Sequence, residues 1–236
     1  MKPILTFASG LSLVFLLSAQ LVSQSNTQHC RNTADCNIRG TALLKAGNIS
    51  GAIDDFSQEL RDAGEPQAVM LAFNNLSVAY LRRRDFLQAR FWAQQALALD
   101  ANGAAATHNL EEINAHLGSF SWPKSPDGTY LYYLDCDWSN EIRISESNNS
   151  RAKLWFQGVR IGANGCHSAP AAVGEIDGAV LVLQGKSAIY KGSGQFASCR
   201  IELKIAPDSL SVEEVGECGF GAGVHTTGEY QRVSVR

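Results

Sequence analysis

Two stretches of the chain repeat one another at a fixed distance. The first runs from Gly40 to Gly47 and then from Ala52 to Phe56; the second runs from Leu76 to Arg84 and then from Ala89 to Leu97. Setting Ala52 on Ala89, an offset of 37 residues, places Gly40 on Ser77, Leu43 on Tyr80 and Gly47 on Arg84. A period near that length, with small residues at fixed helical places, marks paired-helix repeats. Such pairs bury their apolar faces on one another and present extended surfaces to other proteins. The pattern therefore points to binding rather than to chemistry, and it does not name a partner.

The periodicity changes midway. From about Thr33 to Leu117, Ala, Leu, Gln and Arg dominate and apolar residues recur every three or four positions, as in amphipathic helices. Five helices are predicted: Thr33–Ala46, Ser50 to about Ala63, Pro66–Arg84, Phe86–Leu99 and Ala104–Leu117. From Gly128 onward, short alternating runs rich in Val, Ile, Tyr and Leu are separated by Gly, Asn, Ser and Asp, as in an antiparallel β domain. Residues 118–127 hold two prolines, one glycine and three serines and read as a linker. The expected class is α+β in two domains: a helical repeat array over 30–117 and an antiparallel β-barrel or sandwich over 128–236.

Lys2, the apolar run Leu11–Leu17 and the polar exit Ser18–Ser23 make residues 1–25 a secretory signal peptide, with a membrane anchor as the competing reading. No later stretch is long and apolar enough to span a bilayer. The net charge of −3 gives no electrostatic reason to expect nucleic acid. All six cysteines follow the signal, and an even count in an exported chain reads as disulfides. Fifteen pairings are open. Cys30 and Cys36 are close together and far from the rest. Cys199 and Cys218 flank a hairpin turning at Ala206–Ser209, which sets Cys199 roughly opposite Gly216. Cys136 and Cys166 are then left for each other. A metal site is the competitor, but no Cys-x-x-Cys or tight Cys/His group supports it. No cofactor is expected. A secreted or periplasmic protein follows.

The second repeat carries Leu76, Ser77, Tyr80, Asp85, Phe86, Ala89, Ala93, Ala96, Leu97, Leu99, Asp100 and Asn102. The first carries Gly40, Leu43, Gly47, Ala52, Ile53, Phe56 and Leu60, with Glu59 where a small residue belongs. On these positions the N-terminal half resembles the tetratricopeptide repeat family. The resemblance implies stacked antiparallel helix pairs, the last helix acting as a cap. It also implies an inner face lined by the first helix of each pair. By position that face holds Asn37, Thr41, Leu44, Lys45, Asn74, Asn75, Val78, Leu81, Arg82, His108, Asn109, Glu112 and His116. Some relatives clamp a peptide carboxylate between asparagines and several cations; here the basic part is thin, and asparagines at these places also serve helix packing. Arg82–Arg84 reads as a solvated helix end, with a binding patch as the alternative.

Eight strands are expected beyond the linker: Thr129–Leu134, Trp138–Ile144, Lys153–Val159, Ala179–Gln184, Ser187–Tyr190, Ser198–Ile205, Ser209–Glu217 and Gly228–Val235. Local hairpins favour a meander. The ending Gly216–Gly221 followed by Gly228–Tyr230 resembles small exported bacterial domains of uncharacterised function, in which a Cys-Gly-Phe-Gly segment precedes the closing Gly-x-Tyr strand; physically, the glycines here permit a tight bend, Cys218 staples it, and Phe220 and Tyr230 plug the core. His167, His225, Glu175, Asp177 and Glu217 are the candidate catalytic groups, but no nucleophile elbow, paired-His motif or phosphate loop organises them. The chain is read as non-enzymatic. Its partner is another protein or peptide. An envelope hydrolase inhibitor using the loop Ala163–Ser168 (against lysozyme, for example) and a carrier of a small apolar ligand are the alternatives. Asn75, within an Asn-x-Ser/Thr site, lies mid-helix, where a glycan would obstruct packing, which favours a bacterial source.

Overall fold

The computed structural model describes residues 30–163, 165–167 and 169–235. The expected signal segment lies outside the described residues. Among the described residues five helices come first: α1 (Thr33–Lys45), α2 (Ile49–Asp62), α3 (Pro66–Arg82), α4 (Phe86–Leu99) and α5 (Ala104–Leu117). Their starts are written in side chains. Asn32, Asn48 and Asp85 each accept a backbone N–H from the first turn, and Pro66 opens α3, where a missing N–H costs nothing. The short connections force neighbouring helices to lie antiparallel. Further along the stack, α1 touches α3 and α3 touches α5.

The repeated small residues sit at the helix crossings. A Cβ on Gly40 would stand 2.6 Å from Phe56 Cε1. At the equivalent place Ser77 is fully buried and its hydroxyl donates to the Ala89 carbonyl at 3.0 Å. Ala52 and Ala89, the residues that define the offset, are both wholly buried. Phe56, Leu60, Phe73, Leu76, Phe91 and Trp92 fill the space between helices.

Eight strands follow: β1 (Gly128–Asp135), β2 (Trp138–Ser145), β3 (Arg151–Arg160), β4 (Ala172–Gln184), β5 (Ser187–Lys191), β6 (Arg200–Ile205), β7 (Ser209–Val215) and β8 (Gly228–Ser234). Each pairs antiparallel with the next and β8 pairs with β1, closing a meander barrel; the sandwich option is set aside. Alternate residues point inward, and Tyr130, Ile142, Leu154, Phe156, Leu181, Leu203 and Tyr230 form its core. β4 begins at Ala172, seven residues before the expected start. Its first half carries Gly174, Gly178, Glu175 and Asp177, residues poor in strand propensity, and is held there by pairing with β3.

Three disulfides join Cys30 to Cys36, Cys136 to Cys166 and Cys199 to Cys218. Arg200 pairs with Val215, the register that places Cys199 opposite Gly216 and Cys218 within reach. Arg232 is buried inside the barrel. Its guanidinium lies over the Tyr130 ring at 4.9 Å, donates from Nε to the Tyr130 hydroxyl at 2.8 Å, and donates to the Ser125 carbonyl at 3.0 Å, tying the linker down.

Helices and barrel share a core. Leu131 and Tyr133 of β1 and Val233 of β8 point out of the barrel into the helical cluster. Tyr133 meets Phe73 edge-on at 5.0 Å and Trp92 at 6.2 Å. Around these apolar contacts, Arg61 pairs with Asp137, and Arg90 pairs with Asp208 at 3.2 Å while covering the Trp122 ring at 5.0 Å.

Candidate binding face

The barrel approaches the helices from the side of α2 and α4, with Phe73 reaching through from α3. The faces of α1, α3 and α5 that the repeat pattern assigns to binding are left outside that contact. Lys45, Arg82, His108, Glu112 and His116 are exposed there, and Asn37, Thr41, Leu44, Asn74, Asn75 and Val78 are half-buried between them. Leu81 and Asn109 are buried.

The asparagines are engaged within the chain. Asn37 donates to Glu59 Oε1 at 3.1 Å and Asn75 donates to Glu59 Oε2 at 3.0 Å, one from α1 and one from α3. Glu59 is wholly buried on α2 at the point where the repeat asks for a small residue. Burial pushes its carboxyl above the ordinary range, against the opposing pull of the two amides. Asn74 donates to its own helix at Met70 O, 3.0 Å away, and faces Asn109 at the limit of hydrogen bonding, 3.5 Å. Two asparagines thus hold a buried carboxyl, and the remaining two face each other.

What the face offers a partner is therefore apolar patches with a mixed-charge rim. Ile38 and Leu71 are 70% and 45% exposed, on α1 and α3. Neither was among the residues expected from sequence. The signal for Ile38 was present: the 37-residue offset aligns it with Asn75, an inner-face position. At the end of α3, Arg83 covers the Tyr80 ring and pairs with Asp85, whereas Arg82 and Arg84 are exposed with no ion pair among the described residues.

The candidate catalytic groups are not gathered into one centre. Glu175 and Asp177 stand on the outer face of β4, lining a cleft of about 310 Å³ with Glu141, Arg143 and Trp155. His225 lies before β8, its Nδ1 3.9 Å from Glu214, which itself accepts from Thr226. Glu217 is exposed beyond β7, and the side chain of His167 lies outside the described residues. Among the described residues no group of three metal-ligating side chains occurs. The expected inhibitory loop Ala163–Ser168 falls partly outside the described residues, and its Cys166 is fastened to Cys136. Tyr130, Tyr230 and Arg232, all wholly buried, fill barrel interior where a carrier would need space.

No protein-family model matches the chain, and no curated protein and no solved structure matches it either.

Proposed function

We propose that the chain is an exported, non-enzymatic scaffold that binds another protein through the α1, α3 and α5 face of a tetratricopeptide-type array. One observation carries the reading: the barrel occupies the α2 and α4 side and leaves the opposite face, with Ile38, Leu71 and Val78 among Lys45, Arg82 and Glu112, open to a partner. Exposed apolar side chains on a rigid, charge-rimmed helical surface are the usual anchors of such contacts. Export is supported by three disulfide pairs, which fit an oxidising compartment, and no helix among the described residues is long and apolar enough to cross a membrane.

A photo-crosslinking residue placed at Thr41, Leu71 or Glu112 of the full chain tests the reading. All three positions should trap the same protein, and a probe at Asp54, an exposed residue of α2, should not. Three unrelated proteins, or equal trapping from Asp54, would refute it. The double change Leu71→Asp, Val78→Asp should weaken capture about tenfold or more while leaving the melting temperature nearly unchanged.

A further inference from the structure

β4 is 13 residues long, and its two sides are used unequally. β3 pairs with it from Ala172 to Val182, whereas β5 pairs only with Val182, Leu183 and Gln184. On the β5 side, residues 174–181 have no strand partner among the described residues. The edge is closed above by the Gly221 N–H, which donates to the Val173 carbonyl at 2.9 Å, and below by the β4–β5 hairpin. The β8–β1 seam is also short, but the helices lie against it.

The cause is a bulge. Leu154 pairs with Ala179 and Phe156 with Ile176, so one extra residue of β4 stands opposite Trp155. Gly178 takes up the distortion at φ +59°. A bulge bends its strand and tightens the local twist, which carries the first half of β4 away from β5. A row of N–H and C=O groups on such an edge is a template for an added strand.

The flanks of this edge differ in charge. Beside its start stand Glu175 and Asp177, exposed and without an ion pair among the described residues. Beside its end, Val180 is 55% exposed, and a groove of about 380 Å³ runs over Val180, Val182 and Ile189 to Lys191 and Arg200. Arg200 is shared with Glu202 at 2.9 Å; Lys191 has no ion pair among the described residues. A segment lying here antiparallel to β4, as every strand of this barrel lies to its neighbour, meets cations at its N-terminal end and carboxylates at its C-terminal end.

We propose that the edge of β4 over residues 174–181 is a strand-addition site for an extended segment of a partner protein, acidic at the segment's N-terminal end and basic at its C-terminal end. Main-chain hydrogen bonds supply the attachment, and Lys191, Glu175 and Asp177 set direction. The site stands apart from the helical face and does not depend on it.

Amide hydrogen exchange on the full chain tests the proposal. In the free protein, the amides of residues 174–181 that do not pair with β3 should exchange quickly, while those of β6, flanked on both sides, stay protected. Slow exchange throughout 174–181 would overturn the proposal. The probe is the capped heptapeptide Glu-Val-Thr-Val-Lys-Val-Lys. It should slow those amides at least tenfold, and a version N-methylated at alternate amides should not. Lys191→Glu should weaken the probe about fivefold. No binding at about 1 mM probe, corresponding to a negligible affinity, would reject the site. Equal binding of the charge-swapped peptide Lys-Val-Thr-Val-Glu-Val-Glu would also reject it. Protection that rises with protein concentration alone would assign the edge to a second copy of this chain and overturn the proposal as stated.

Discussion

A carboxyl buried without a cation beside it resists ionisation, and Glu59 is such a group: among the described residues its two oxygens meet only the amides of Asn37 and Asn75. Its pKa in the folded chain stands above the ordinary value of 4.5, so the native state keeps a proton that the unfolded chain has released. Stability from this group is therefore greatest at low pH and is lost as pH rises from the ordinary value through the raised one. Glu59→Gln should flatten that fall in melting temperature as pH rises above the ordinary value of 4.5. Glu59→Ala, which orphans two amides and opens a cavity, should cost about 2–4 kcal/mol at every pH. Chemical denaturation across that range checks both. The misfit of Glu59 with the repeat was legible in the sequence. The two asparagines that answer it were legible only as inner-face residues, because a hydrogen bond between α1, α2 and α3 depends on a crossing geometry that spacing does not contain.

At the scale of elements, the chain signals regular segments well and irregular ones poorly. The turn and the register of the β6–β7 hairpin could be placed, because Arg200–Ile205 alternates cleanly around a Pro-Asp turn, although the strands begin and end two residues inside the expected Ser198 and Glu217. The first half of β4 could not, because its glycines and acids look like a loop and only the partner strand makes it extended. The exit from β7 rests on Gly216 at φ +81°, where a Cβ would fall 2.1 Å from the Ser198 carbonyl oxygen. Gly216→Ala should destabilise the protein by about 2–4 kcal/mol, combining left-handed strain with a backbone clash. It should also slow formation of the Cys199–Cys218 bond, since the same bend delivers Cys218 to its partner. Urea denaturation and trapping of free thiols during oxidative refolding read the two effects.

The molecule as a whole departs most from its sequence pattern at the junction. The linker composition announces two independent domains, yet Tyr133 and Val233 leave the barrel to join Phe73 and Trp92. Outward-facing residues of a strand read as solvent-facing in a sequence, and nothing in the alternation of β1 says that a helix will cover them. Tyr133→Ala should remove about 2–4 kcal/mol. It should also split one thermal transition into two, seen as non-coincident loss of helical circular dichroism and of near-ultraviolet aromatic signal. A coincident transition would mean that Arg61–Asp137 and Arg90–Asp208 couple the halves without it. The five helices α1–α5 form a short stack, and the barrel wall supplies lateral burial to it. That seating also has a calorimetric corollary. With α3 and α4 braced from behind, the proposed binding face is ordered before any partner arrives. Association should then proceed as a rigid-body encounter, with a heat-capacity change set by the contact area alone and no added contribution from folding.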